Sequence, residues 1–554
     1  MELQAFTHVF RNKNFVLLFI QFILLFIIFT IFANNKYNKY ISIFLAVISV
    51  ILISYNHYFP SINDNYHYSA HFNSVFMVYN SVPYQQNMYS IHGHYALFMY
   101  PFLKIFGLNI KSYSVLIAIL SGISSLCIIL SIFILIKNSF YRIIGILTTL
   151  FFLFTIGQNY YSVFPLKIFF PSIIMLYVAI INNRKNKLLT IIEYVLAALG
   201  ILWGADSGLV CIGALFIKNI YVFSYNLSFN DKKFYYNIAL FGILSILSIF
   251  TALLILNICN IYILGGKTQT IKDLLFPLFT GQTKYTERSS RYPISYWIAT
   301  IIIFLFSFLY YIKDMRIFNF GYSEKFKPYS PSIIFCSVCG LGLYCYYMNR
   351  SDIIHHMIAV ASLSVIIPFS LYRLNIILFS IKEEYIKNYK YMINIIKSIF
   401  FIYSLIVIFI SISNFTNILN PNFYKQISAK NDEKNGITYI ITEYMKKYGY
   451  DGIASFGGAF VYGYANLGWT NSLILPNESD WWNPSFGYSN AVKIFLDKKP
   501  DMFLSEQYLK NSDVFYHNKE NEHSIYLFNR FVNLNYTNIP TEYEKHGFYL
   551  YKLK

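Results

Sequence analysis

Charge is the first thing this sequence lacks. Only 13% of its 554 residues are Asp, Glu, Lys or Arg, whereas 56% are hydrophobic and mean hydropathy is +0.46. A soluble globular chain carries roughly 25% charged residues, so the composition excludes one and implies a polytopic membrane protein. The net charge of +18 does not point to nucleic acid. Its basic residues fall in short clusters between apolar runs, which is the pattern of the positive-inside rule rather than a continuous binding face. A disulfide framework is also missing. The cysteines, Cys127, Cys211, Cys259, Cys336, Cys339 and Cys345, all lie in or beside apolar runs. Cys336 and Cys339 form a C-x-x-C pair without a second ligand pair, so they read as membrane packing. The dinucleotide pattern G-x-G-x-x-G is absent, and Gly457-Gly458 does not replace it. Internal repeats and low-complexity tracts are absent too.

What remains is a series of apolar runs. A hydrocarbon core of about 30 Å takes roughly 20 residues to cross, fewer when the ends snorkel. The runs 15–33, 40–58, 113–136, 143–157, 166–181, 188–203, 208–223, 238–264, 294–312, 332–347, 354–372 and 395–418 make about 12 expected spans. The first is longer than a signal-peptide core and has no small-residue cleavage site, so it is expected to be retained. A shorter apolar piece around 101–107 dips without crossing. The basic clusters at 182–187, 231–233, 313–327 and 373–390 set the cytoplasmic side. Counting spans from them places 57–111, 158–165, the 203–206 turn, 265–293, 349–352 and everything after 419 outside. Past 418 the hydropathy drops. A helical period at 437–448, a short strand with a glycine turn at 452–457, a helix at 489–498, and strands at 500–504 and 548–553 predict a small α/β domain. The expected architecture is therefore mainly α, a polytopic helical membrane protein over 1–418 with a C-terminal extracytoplasmic α/β domain over 419–554.

The loop at 57–111 holds no basic residue until Lys104, and from Ile41 to Leu103 there is none at all. Its one acid, Asp64, is the only acidic residue between Glu2 and Glu193. Outward acids before residue 419 are few: Asp64, Asp206, Asp273, Glu287 and Asp352. Charge at a membrane boundary is costly unless paired or functional. Histidine is as selective. His57, His67, His71, His92, His94, His355 and His356, seven of the eleven, lie in or beside the outer segments that hold Asp64 and Asp352. Asp64, His67 and His71 are spaced i, i+3 and i+7, which puts them on one helical face, as a base with its partners or a metal set requires. A solvated interfacial helix explains that spacing equally. Asp206 lies in a tight turn, where it fits either a catalytic role or a helix N-cap. Arg350, Asp352 and His356 share a short outer turn, and arginine geometry suits a phosphate or carboxylate. Against that stands a structural ion-pair turn. Lys167 is a further outer cation that runs against the positive-inside bias.

These motifs resemble a known family. An acid in the first outer loop followed by VPYQQNMYSIHGHYALFMYPFLKIFG (82–107) resembles the GT-C superfamily of membrane glycosyltransferases, which use polyprenyl-phosphate-linked sugars and include aminoarabinose transferases and protein O-mannosyltransferases. LWGADSGL (202–209) is similar to the family's acid-Gly turn and NRSDIIHHM (349–357) to its later Arg-Asp-His turn. KKPDMFL (498–504) and the terminal LYKL look like its outer α/β domain. The resemblance covers most of the chain through short motifs in a consistent order. This sequence departs from the pattern at Asn63-Asp64-Asn65, which has one acid instead of two. It departs again at Gln86-Asn87 and at His92-Gly93-His94. A metal site built from two loop acids therefore lacks its second acid, whereas a single base remains.

By resemblance, Asp64 is the general base for inverting transfer and Asp206 orients the acceptor. Arg350, His356 and Lys167 bind the donor phosphate. His67, His71, His92, His94 and Asp352 line the substrate. The partners implied are a polyprenyl-phosphate-linked sugar donor, a glycan, lipid or protein acceptor and the bilayer of a cell membrane, with no nucleic acid. A divalent cation is the one cofactor left open, with Asp64, His67 and Asp206 as the residues that could hold it. Two rivals stay open. One is an O-antigen polymerase or ligase, which usually carries its large outer loop in mid-chain. The other is a lipid-linked glycan flippase or transporter, which tends to bury ionisable residues mid-membrane and to show inverted repeats.

Overall fold

A computed structural model of the chain describes residues 38–58, 65–84, 92–159, 163–182, 184–279, 296–318, 329–349, 356, 358–380, 437–448, 454–456, 460–467, 499–505 and 530–554. The described chain is mostly helical. In chain order its first helices are α1 (Asn38–Asn56), α2 (Asn65–Tyr79), α3 (Ala96–Phe106), α4 (Ile110–Leu135), α5 (Ser139–Asn159) and α6 (Val163–Ile181). They are followed by α7 (Lys187–Trp203), α8 (Ala205–Ser224), α9 (Lys232–Ile258), α10 (Tyr296–Ile312), α11 (Ser330–Asn349) and α12 (Leu363–Ser380). The helix α9 runs on into a π turn at Cys259–Ile263. Among the described residues, four helices are long and apolar enough to cross a membrane: α1, α4, α8 and α9 with its π turn. Shorter apolar stretches lie within α3, α5, α6, α10, α11 and α12. The expected spans at 15–33 and 395–418 lie outside the described residues, and in the run expected from 354 the residues 356, 358 and 359 are helical, a turn at 360–362 follows, and α12 begins at Leu363.

Polar side chains at the turns decide where the helices begin. Asn109 and Ser112 cap α4 reciprocally, Ser112 N–H donating to Asn109 Oδ1 at 2.8 Å and Asn109 N–H to Ser112 Oγ at 3.1 Å. Asn186 does the same work for α7, accepting from Leu188 and Leu189 N–H. Inside the bundle, Ser and Thr hydroxyls return to carbonyls one turn back, as Ser121 does to Ile117 and Thr148 to Ile144. That keeps hydroxyls satisfied where water is absent. Neighbours in the bundle include α4 with α6, α8 with α7 and α11, α1 with α4 and α5, and α9 with α7. Very close approach occurs at the α7–α8 hairpin, where a Cβ on Gly208 would fall 2.3 Å from Ile201 N. No larger residue fits there.

Because successive helices reverse, the chain turns gather at two ends. One holds His57, 80–84, 92–95, the start of α6, the α7–α8 turn and 259–270. The other holds 136–138, 182–187, 225–231 and 313–318, joined for example by Arg316 N–H donating to Tyr225 O at 3.0 Å.

In the C-terminal part, α13 (Ile437–Tyr448) packs on α14 (Phe460–Leu467) beside a four-stranded sheet. Its strands are β1 (Ala454–Phe456), β2 (Met502–Ser505), β3 (Tyr536–Ile539) and β4 (Tyr549–Leu553), in the order β1-β2-β4-β3. The pair β1–β2 is parallel and the other two pairs are antiparallel. On the central pair, Phe503 faces Tyr551 with rings 4.8 Å apart and nearly parallel. β3 is a strand that alternation in the sequence does not announce, and the expected helix at 489–498 lies outside the described residues. The helix α14 also touches α2, so this unit borders the histidine-bearing end of the bundle.

Candidate functional site

The site is built around Trp203, the last residue of α7. Its indole is almost fully buried among Tyr95, Phe98, Phe169 and Phe170, with ring centroids 5.0 to 6.1 Å away. Trp203 Nε1 donates to Leu166 O at 2.9 Å, which ties the end of α7 to the first turns of α6. One residue further along α6, Lys167 reaches across to Asp206, its Nζ 2.5 Å from Oδ2. The lysine side chain is 4% exposed and that of the aspartate 28%, so the pair sits at the edge of the bundle with only its acid open. Asp206 is not the N-cap that a turn acid suggests. Gly204 takes that position, and Asp206, in the first turn of α8, accepts from Ser207 N–H at 2.8 Å through Oδ1.

Onto the same turn falls the His92-Gly93-His94 segment. His94 N–H donates to Leu202 O at 3.0 Å. Gly93 has φ +112°, and a Cβ there would lie 2.3 Å from Trp203 O and 2.8 Å from Gly204 Cα. Only glycine permits this backbone-to-backbone approach. The contact carries His92 within electrostatic reach of the Asp206 carboxylate. His92 in turn stacks against His71 of α2, ring centroids 4.1 Å apart. Tyr95 Oη donates to His71 O at 2.8 Å and fixes that part of α2. Lys167, Asp206, His92 and His71, drawn from four separate segments, are therefore one cluster.

His94 faces away from this cluster toward Tyr84, with ring centroids 4.7 Å apart. Burial holds its imidazole down to about 4, only partly opposed by the Asp273 carboxylate. Tyr84 is anchored from the π turn, its N–H donating to Asn260 Oδ1 at 2.9 Å. Asn260 Nδ2 donates to Lys267 O at 2.8 Å, and Asn257 and Gln269 exchange hydrogen bonds in the same loop. These asparagines hold the architecture of the site, yet sequence reasoning passed over them. Their signal was Asn at i and i+3 at the end of an otherwise apolar helix. His57, at the end of α1, is buried and lowered to about 4, and its Nδ1 lies 2.8 Å from Ile53 O.

Among the other expected residues, His356 is buried beside Thr300, 3.3 Å from Oγ1, and edge-on to Tyr344. Asp64, Arg350 and Asp352 lie outside the described residues. His67 stands on α2 one turn before His71, and its side chain is outside them too. Among the described residues no three His, Cys, Asp or Glu side chains gather at metal-binding distance. Each Asp206 oxygen already accepts a hydrogen bond, from Lys167 and from Ser207 N–H, so a divalent ion at that carboxylate would also meet the Lys167 ammonium.

No protein-family model matches the chain, and no curated protein does.

Proposed function

We propose that this chain is an inverting membrane glycosyltransferase of the GT-C type, moving a sugar from a polyprenyl-phosphate donor to a cell-envelope acceptor. The reading places about 12 spans in the membrane, with the histidine end and the C-terminal α/β unit on the extracytoplasmic side. The observation that supports it best is the meeting of the His92–His94 loop and the Trp203–Asp206 turn, which lie in two of the stretches that resemble that family, with Lys167, the cation expected at the donor phosphate. In the reaction the acceptor hydroxyl or amine attacks the anomeric carbon. The bond from that carbon to the phosphate oxygen breaks, the acceptor proton passes to Asp64, and the phosphate leaves with the electron pair. Charge growing on the leaving oxygen needs cations in place beforehand. Lys167, held against the Asp206 carboxylate beside the Trp203–Asp206 turn, is the cation positioned for that role. Arg350 would supply the second cation and His356 a further contact.

A second reading, as a lipid-linked glycan transporter, draws on a different observation. Within α7 and α8, Glu193 and Lys218 form a fully buried ion pair, completed by Asn219 Nδ2 donating to Glu193 Oε2 at 2.9 Å. Ionisable groups inside a candidate span are expensive and often mark a translocation path. An O-antigen polymerase or ligase gains nothing comparable.

The deciding experiment is transfer from a lipid-linked sugar donor by purified Asp64→Ala and Asp206→Asn variants. Transfer should fall by a factor of about 10² or more in each, with membrane insertion retained. Undiminished transfer in Asp64→Ala would sink the mechanism. If Glu193→Gln abolishes glycan movement in a protein that never transfers sugar, the transporter reading takes over.

A further inference from the structure

Next to the Lys167–Asp206 cluster, on the far side of Gly93, three polar atoms are buried without a hydrogen-bond partner: Tyr84 Oη, His94 Nδ1 and Gln269 Oε1. The residues that carry them are at most 6% exposed. They belong together. The Tyr84 and His94 rings are 4.7 Å apart, and Gln269 Nε2 donates to Tyr84 O at 3.3 Å and to Lys267 O at 3.1 Å. The backbones of Tyr84 and Gln269 are both pinned. Asn260 Oδ1 holds Tyr84 N–H, and Asn257 Oδ1 accepts from Gln269 N–H at 2.5 Å while its Nδ2 donates to Gln269 O at 3.1 Å. Buried polar atoms are almost always satisfied, and leaving one unpaired is costly. Three on neighbouring residues, two of them on backbones pinned by asparagines, make a set of donors and acceptors open to a ligand.

The chemistry of the three atoms narrows what that is. Gln269 Oε1 only accepts, so the ligand must present a donor. The phenol also carries a proton to give, so the ligand must present an acceptor. A neutral imidazole, kept so by burial, can complement either. An anion would face an acceptor-only oxygen and the Asp273 carboxylate, and a cation would leave the phenol proton unmet. A hydroxyl group both donates and accepts. The aromatic faces of Tyr84 and Tyr95, which feel each other electrostatically, add an apolar wall. We propose that Tyr84, His94 and Gln269 form a subsite for the hydroxyl groups of a neutral sugar ring, placed two residues along the chain from His92 and its Asp206 contact. The sugar identity of the ligand rests on the glycosyl-transfer reading, but the presence of a hydroxyl-binding subsite does not.

The test is thermal unfolding of the purified full chain, with and without a panel of free hexoses and pentoses. In the absence of sugar, Tyr84→Phe should unfold at a higher temperature than the wild-type chain, because it deletes an unpaired hydroxyl and keeps the ring. At least one sugar should stabilise the wild-type chain, and Tyr84→Phe should bind it about tenfold more weakly, the loss expected for one hydrogen bond. Gln269→Leu should weaken binding at least as much, although it also gives up two amide hydrogen bonds. A lower unfolding temperature for Tyr84→Phe would mean that the hydroxyl is already bonded, and would overturn the subsite. Equal sugar protection in both proteins, or none from any sugar, would overturn the ligand assignment. Asp206→Asn separates the two claims. If it loses transfer and keeps sugar protection, both stand. If the wild-type chain transfers no sugar yet shows Tyr84-dependent protection, the subsite stands and the transfer chemistry falls.

Discussion

The two ends of the helical bundle handle polarity in opposite ways. At the histidine end, polar groups are buried and face one another: Lys167 with Asp206, His71 with His92, His94 with Tyr84. At the other end Arg184, Lys185, Lys187, Lys232 and Lys233 stand exposed at the starts of α7 and α9, and Asp231 turns its carboxylate back to Ser228 N–H and Oγ. The exposed end is solvated and tolerant, as topology-setting charge should be. The buried end must satisfy each group locally, so its sequence is constrained and its failures are cooperative. A site that must exclude water belongs at the second kind of end.

Acid should break this contrast most visibly. His57 and His94 titrate near 4 in the folded chain and near 6.5 when unfolded. The unfolded chain therefore takes up protons that the folded one refuses, and stability falls as pH drops from about 6.5 towards about 4, then levels off. Each histidine contributes at most about 3 kcal/mol to that loss. Hydrogen exchange compared at neutral pH and at about pH 5 should show opening around 92–95 while 184–187 stays unchanged, since lysine and arginine keep their charge throughout. Uniform loss of protection would erase the distinction between the ends.

The next effect lies between the ends, somewhat under two turns into the bundle from the basic side. Lys218→Met leaves Glu193 buried opposite nothing, and a broken buried pair costs about 3–5 kcal/mol. The double change Lys218→Met with Glu193→Gln removes both charges and should recover most of that loss in thermal unfolding. A single variant no worse than the double would show that the pair is not coupled.

How much of this was legible beforehand depended on whether polarity was local in sequence. The 57–111 loop and the 203–206 turn stood out because acids and histidines are rare in this chain, and the structure does bring His92–His94 onto Trp203. Asp206 is visible in the sequence, but its lysine reads there as a separate phosphate cation because it stands 39 positions earlier. Lys218 lay hidden inside an apolar run, and only Glu193 one helix earlier hinted at it. The asparagine latch at Asn257 and Asn260 showed only as polar spacing at a helix end, since neutral amides carry no charge signal and their partners come from 84 and 267–269. Apolar periodicity located the helices. It could not locate contacts between them.

A smaller and more local effect should follow from Gly93→Ala. The added methyl meets Trp203 O at 2.3 Å in a backbone conformation that L-residues avoid, at an expected cost of about 2–3 kcal/mol. Because His92 and His94 would shift together, transfer should fall further than stability does. A variant that loses stability and keeps its full transfer rate would detach the loop from the chemistry.

The smallest effect tests the tolerant end. Arg142 folds back over the end of α4, Nε donating to Ile136 O at 2.6 Å and Nη2 to Phe133 O at 3.2 Å, with its guanidinium 4.8 Å from the Phe133 ring. The last carbonyls of a helix have no partner within it, and a cation there also meets the negative end of the helix dipole. Arg142→Ala should therefore cost about 1 kcal/mol, and Arg142→Lys rather less, since one ammonium can replace only part of the fork. Both should leave transfer at the wild-type rate, because no group at the histidine end depends on this turn. An Arg142→Ala chain that is stable but slow in transfer would mean the two ends are coupled through α4, and the division of labour between them would fail.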